Sequence, residues 1–290
     1  MKRPPGEHLI PARRAMSEPV YRLTGLSVRY PGSGPLASYV VKDLSLTVNR
    51  GEQLVLIGPS GAGKTTLLSV LALAREPAEG TVELFGQNVW VLSSSERHQL
   101  RKRLFLAPQA PPLPPRQRVV TAVLAGLLPR WAFGTALLSL IRPHDARVAF
   151  EALERFDLGD KLWMRVDRLS GGERQRVSMA RMLVADTEVM LVDEPLSALD
   201  PRLAAQTLQS IQVEAARRGA TLVASLHQVE LAHVQFPRVV GLRDGCVQFD
   251  LPRERVTAEL LRDLYAGAEE EVLAAGAPSV GGMVPRWRCL

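Results

Sequence analysis

Cysteine is nearly absent: two residues, Cys246 and Cys289, in a chain of 290. They lie far apart and match no CxxC or Cys/His spacing, which argues against a disulfide scaffold and a structural zinc site and fits a reducing compartment. Histidine is also scarce, five residues, and His227 and His233 are six apart, not the three or four that put two ligands on one helix face. Residues 1–19 carry basic side chains but no apolar core of the ~7 to 15 residues a secretory signal needs, so the mature chain is expected to begin near Met1. Long apolar runs are missing. Residues 119–141 approach the ~20 residues of a spanning helix, but Pro129 and Arg130 interrupt them. They read instead as two short helices, 119–128 and 135–141, that cover a core or meet a partner. Charge of one sign is not in excess either: 36 Lys+Arg against 30 Asp+Glu leaves +6, which describes a solvated face, and no nucleic-acid partner is expected.

What the chain does have is enough apolar residue, 46%, to bury a sizeable core, which excludes wholesale disorder. Strand-like segments recur at 20–30, 40–48, 53–58, 81–85, 104–107, 189–193, 221–226, 238–242 and 246–250. Helical patterns separate most of them. Continuous apolar strands such as 54–57 and 189–192 imply a sheet buried on both faces and therefore mainly parallel. Residues 20–48 alternate instead and break at the Pro/Gly-rich 31–35, which reads as an antiparallel β layer on the N-terminal side. Ser93-x-x-Glu96 is a capping-box pattern, and Asp145 opens an amphipathic run to Phe156. Asp244-Gly245 suits a two-residue hairpin turn. Between 119 and 185 only helices are expected, making about 110–185 a helical subdomain inserted in an α/β domain of 20–266. Residues 1–19 and 267–290 read as flexible tails.

Gly58-Pro59-Ser60-Gly61-Ala62-Gly63-Lys64-Thr65 follows an apolar strand and opens an apolar helix at 65–74. This is the GxxxxGK(S/T) pattern of a P-loop: glycines let successive N–H groups turn inward to a polyphosphate, the helix N-terminus adds partial positive charge, and Lys64 adds a full one. Thr65 offers a hydroxyl to Mg²⁺. Such a loop needs a carboxylate from a neighbouring buried strand. Residues 189–194 supply Asp193 for the metal and Glu194, pointing the other way, to polarise water. His227 ends another apolar strand, and parallel strands deliver their C-terminal ends to one edge.

Leu169-Ser170-Gly171-Gly172-Glu173-Arg174-Gln175-Arg176 resembles the signature of ATP-binding cassette ATPases. Its serine and glycines stand at a helix N-terminus, a second anion site on the same chain. The resemblance covers residues 21–265 and implies a P-loop NTPase core working as a head-to-tail homodimer. It assigns ATP to Tyr30, which stacks on adenine, and to Gly58, Pro59, Ser60, Gly61, Ala62, Gly63, Lys64, Thr65 and Thr66. Ser170, Gly171, Gly172 and Asp200 of the other copy close the site. It implies Mg²⁺ on Thr65, Gln109 and Asp193, and catalysis by Glu194, His227, Lys64 and Gln109. Gln109 matches the Q-loop, 197–200 the D-loop and His227 the switch histidine.

The chain departs from the family at 110–115, where proline is dense and a stiff extended stretch is expected. Residues 225–232, 240–245 and 261–265, with a long helical insert at 125–150 containing Trp131, resemble ATPase subunits of phosphonate importers. That implies an ATP-hydrolysing energy subunit for phosphonate or a related phosphorus oxyanion, peripheral on the cytoplasmic face of the membrane. Integral permease subunits are its partners, and a periplasmic or extracellular solute-binding protein is an indirect one. The alternatives are another small solute, a cytosolic cassette acting on nucleic acid, or a nucleotide sensor without hydrolysis. One P-loop, no sustained heptads and a filled set of hydrolytic positions oppose the last two.

Overall fold

The computed structural model describes residues 18–29, 38–131, 134–135, 139, 145–196, 198–227 and 229–266. In chain order the elements are β1 (Pro19–Val28), β2 (Val41–Asn49), β3 (Gln53–Ile57), α1 (Lys64–Leu71), β4 (Glu79–Leu84), β5 (Gln87–Asn88), α2 (Ser94–Arg101), β6 (Leu104–Ala107) and α3 (Val119–Leu124). There follow α4 (Ala146–Glu154), α5 (Gly171–Ala185), β7 (Val189–Asp193), α6 (Pro201–Arg218), β8 (Thr221–Ser225), α7 (Val229–Gln235), β9 (Arg238–Arg243), β10 (Cys246–Pro252) and α8 (Ala258–Tyr265).

Two sheets result. The larger runs β10-β9-β3-β8-β7-β6, parallel except for β10 at its edge; the smaller is β2-β1-β4-β5, antiparallel throughout. At the centre Val55 pairs with Ala224 on one side and Val239 on the other. Alternation along β3 divides the interior: Leu54 and Leu56 join the core shared with the antiparallel sheet and α1, while Val55 and Ile57 join the core built with α3, α4, α5 and α6. Each fully buried side chain of this size is worth roughly 1.5–3 kcal/mol. At eight residues α1 is too short to persist alone; buried Leu67, Leu68 and Leu71 hold it to the sheet. The Tyr21 hydroxyl donates to the Leu71 carbonyl at 2.7 Å, tying the antiparallel layer to the end of that helix.

Helix ends follow local chemistry. Ser93 makes the expected capping box with Glu96. Asp200 caps α6, Pro201 occupies its first turn, and Gly219 closes it in the left-handed region. The 243–246 hairpin has Asp244 and Gly245 both at positive φ, as a type I′ turn requires.

Some expectations change. Asp145 precedes α4 but sits at φ 63° and makes no side-chain cap. The 119–128 helix is α-helical only to Leu124 and continues as a 3-10 turn through Ala125–Arg130, which accommodates Pro129. Of 135–141, most lies outside the described residues. The proline stretch is not simply extended: Leu113 N–H donates to Pro111 C=O at 2.8 Å, a tight turn at Pro112 that lets Leu113 reach the core. The two-residue β5 has no counterpart in the sequence reading, and β4 joins the antiparallel layer. The tails lie outside the described residues, apart from Glu18, Pro19 and the start of β1. Among the described residues no helix is long and apolar enough to cross a membrane.

Candidate active site

The segments that follow β3, β6, β7 and β8 at the C-terminal edge of the parallel sheet contribute. The loop after β3 carries Gly58 to Gly63 and feeds α1. Gly58 has φ 148°, and a Cβ there would lie 2.0 Å from the Leu242 carbonyl oxygen. Gly63 caps α1 at φ 99°, with Val40 O only 3.0 Å from a would-be Cβ. Glycine is therefore required by contact at the first and by conformation at both. Lys64 is 4% exposed, and its ammonium donates to Gly58 O at 2.7 Å and Pro59 O at 3.0 Å. Burial pulls its pKa below the usual lysine range, and the carboxylates of Glu194 and Asp193 oppose that shift.

Asp193 ends β7. Its Oδ1 accepts from Thr65 Oγ at 3.2 Å and from Ser225 Oγ at 2.6 Å. The next residue turns away because Glu194 adopts φ 47°, left-handed for a non-glycine, at a conformational cost of about 1–2 kcal/mol. Its N–H is held by Ser225, at 3.0 Å to Oγ and 3.2 Å to the carbonyl. Two consecutive carboxylates thus serve different partners. Glu194 Oε2 accepts from Gln109 Nε2 at 2.6 Å, and Oε1 pairs with His227 Nε2.

Gln109, Glu194 and His227 meet residues 60–66 around one cavity of about 410 Å³, whereas Gly58, Pro59 and Asp193 stand behind its wall, Asp193 through its bond to Thr65. Val40, Ser69 and Arg75 line it as well. Inward-curled backbone, a helix N-terminus and a buried ammonium fit a polyphosphate. The Thr65 hydroxyl, the Asp193 carboxylate and the Gln109 amide are oxygen donors, suited to a hard cation that keeps phosphate and water in its shell. Among the described residues no cluster of three or more His, Cys, Asp or Glu could hold a metal unaided.

The helix N-terminus expected to act as a second anion site stands apart from this cavity. Ser170 caps α5 and forms a capping box with Glu173, whose carboxylate accepts the Ser170 N–H at 2.7 Å. This pulls the Glu173 carboxyl below its ordinary range. Gly172 packs on the 198–199 segment, where a Cβ would come within 2.9 Å of Ala198 O, and Gln175 Oε1 accepts the Ala198 N–H at 3.2 Å. Asp200 Oδ1 accepts from Leu203 N, so its carboxylate caps its own helix. None of Ser170, Gly171, Gly172 or Asp200 lines the Lys64 cavity. Tyr30 and Ser197 lie outside the described residues. Two contributors escaped the sequence reading: Ser225, visible only once β7 and β8 are placed with Asp193 opposite Ser225, and Tyr265, whose hydroxyl accepts the Gly58 N–H at 3.0 Å.

Residues 41–197 match the family model described as ABC transporter. The chain is 57% identical over 244 residues to "Phosphonates import ATP-binding protein PhnC 2" of Albidiferax ferrireducens, covering 84% of this chain and 88% of that protein. It is 54% identical to the like-named protein of Polaromonas sp. over 245 residues, covering 84% and 88%. To one of Pseudomonas aeruginosa it is 53% identical over 241 residues, covering 82% and 90%. Among solved structures, a dimeric ATP-binding cassette in a post-hydrolysis state with ADP and Pi superposes with a TM-score of 0.70 at 25% identity, over 80% of this chain and 98% of that one. With these matches, the chain belongs to the ABC transporter family and carries its ATP-hydrolysing cassette.

Proposed function

We propose that this chain is the energy subunit of an importer for phosphonate or a related phosphorus oxyanion. It works as a head-to-tail homodimer on the cytoplasmic face of the membrane, under integral permease subunits that a solute-binding protein supplies from outside. The observation that carries the catalytic part is the double tether of Glu194, between Gln109 and His227, at the mouth of the Lys64 cavity. The placement of Ser170, Gly171, Gly172 and Asp200 outside that cavity supports their acting on the nucleotide of a second copy. The names of the relatives support the solute.

The phosphates of ATP lie along the N–H groups of 58–66, with Tyr30 against the base. Lys64 exchanges two neutral carbonyl acceptors for charged phosphate oxygens, a stronger class of hydrogen bond. Thr65, Asp193 and Gln109 would hold Mg²⁺, which when bound supplies charge neutralisation on the transferring phosphoryl group. Glu194 orients a water and receives its proton as the new P–O bond forms and the bond to ADP breaks. His227 keeps the carboxylate aimed and reads the terminal phosphate. In the free chain Gln109 and His227 each hold one oxygen of Glu194, and each oxygen keeps acceptor capacity for the attacking water.

Glu194→Gln tests this. Loss of a general base costs about 10²- to 10⁴-fold in rate, so phosphate release should drop at least about 100-fold while ATP binding persists and sedimentation shows a nucleotide-bound dimer. Hydrolysis at the wild-type rate would remove Glu194 from the role. For the solute, ATPase activity of the complex with permease and binding protein should rise with a phosphonate and not with sulfate.

A further inference from the structure

The stretch 261–265 has no job in hydrolysis, yet it ends on a side chain that touches the P-loop. Gly58 is bonded through both of its backbone polar groups: its carbonyl, in the peptide to Pro59, accepts from Lys64 at 2.7 Å, and its N–H, in the peptide from Ile57, donates to the Tyr265 hydroxyl at 3.0 Å. Gly58 is buried and lies against the Leu242 carbonyl, so it has no space to turn its N–H toward water while that contact stands. Tyr265 is half-buried against the main core, and burial pushes its phenol up, with the Gly58 N–H opposing, so the group stays a neutral hydroxyl. The helix that bears it is fixed independently. Leu264 is buried, Thr257 caps the first turn, and Arg243, from the hairpin that backs Gly58, donates to Asp263 C=O at 2.6 Å.

Resting on the ATPase reading above, we propose that Tyr265 is a positioning residue for nucleotide binding: its hydroxyl locks the first peptide of the phosphate cradle in the orientation that ATP requires, across 207 residues of sequence. Without the hydroxyl, the empty loop gains by moving to a conformation in which the Gly58 N–H meets water, because an unsatisfied buried donor is unfavourable. ATP then binds only the fraction of molecules that retain the cradle, and apparent affinity falls by that fraction. Chemistry after binding is untouched, so the loss falls on KM.

The test is Tyr265→Phe in the full chain, which keeps the ring and its packing. KM for ATP should rise about tenfold, equivalent to about 1.4 kcal/mol, with kcat within twofold of wild type. Amide exchange at Gly58 should accelerate relative to wild type in the nucleotide-free protein. A residue with a purely structural role would lower the denaturation midpoint and leave KM and Gly58 exchange where they were, and that result overturns the proposal. Arg243→Ala loosens the helix while leaving the phenol, and should shift both readouts in the same direction by less. It decides the matter alone if Tyr265→Phe does not fold. The exchange measurement does not depend on hydrolysis: a wild-type chain that fails to hydrolyse ATP counts against the ATPase reading, whereas unchanged exchange at Gly58 counts against Tyr265.

Discussion

Removing one hydroxyl, Ser225→Ala, probes the carboxylate pair without touching either carboxylate. Ser225 is wholly buried, and its Oγ makes two bonds, donating to Asp193 Oδ1 at 2.6 Å and accepting from Glu194 N at 3.0 Å. The Glu194 N–H keeps a partner when the hydroxyl goes, the Ser225 carbonyl at 3.2 Å. Among the described residues Asp193 keeps the longer Thr65 bond, also 3.2 Å. The dominant loss is therefore one hydrogen bond to a buried charged acceptor, about 1.5–3 kcal/mol, and the hole left by a single oxygen adds little. Urea denaturation should show a loss of that size. Function should suffer in a particular way: Asp193 is free to rotate, so the Mg²⁺ concentration for half-maximal phosphate release rises about tenfold if about 1.4 kcal/mol of that bond serves orientation. A variant that loses stability as expected but keeps both its Mg²⁺ dependence and its kcat within twofold of wild type refutes the reasoning, because the hydroxyl would then only fill space.

Three other outcomes are expected. Gly58→Ala meets a carbonyl oxygen at 2.0 Å and a glycine-only φ, whereas Gly61→Ala at φ 81° meets nothing within 4 Å. The first should cost at least about 3 kcal/mol and the second about 1–2 kcal/mol, and the reverse order of denaturation midpoints would refute the loop geometry. Glu214, with no exposed side-chain surface, is held down to about 2 by Arg217, with Arg218 and Arg155 helping against the cost of burial. A carboxyl depressed in the fold stabilises it above the unfolded value of 4.5 and loses that contribution as pH falls toward about 2. Glu214→Gln should therefore lower the urea midpoint at pH 7, with the gap from wild type narrowing below pH 4.5; a constant gap would show that the charge is not what matters. Lys64→Met should abolish measurable ATP binding while leaving the fold, since among the described residues Lys64 donates to the Gly58 and Pro59 carbonyls of its own loop. Circular dichroism and nucleotide titration check the two halves.

Much of this architecture is legible in the sequence because buried parallel strands are continuous apolar runs. Residues 104–107 and 189–193 were bounded as the structure has them, and both cradle and signature carry glycine where backbone must approach closely. What escaped has physical reasons. Two-residue β5 is too short to show a period. The left-handed turn at Glu194 belongs to a residue type with no preference for it, and it exists because Ser225 holds the peptide. Ser225 and Tyr265 act through partners 31 and 207 positions away, a separation that local pattern does not encode. Ser170-x-x-Glu173 repeats the Ser93 capping pattern, and its serine oxygen caps its own helix.

The alternation along β3 reaches further than packing. Leu54 and Val55 are neighbours in the chain, yet they belong to different interiors. The central sheet is a bulkhead: a void opened by shortening one of these side chains stays on its own side of it. Sequence drift beneath the β1–β2 layer can therefore proceed without compensating drift among α3, α4 and α5, leaving the helical half free to follow whatever it docks against.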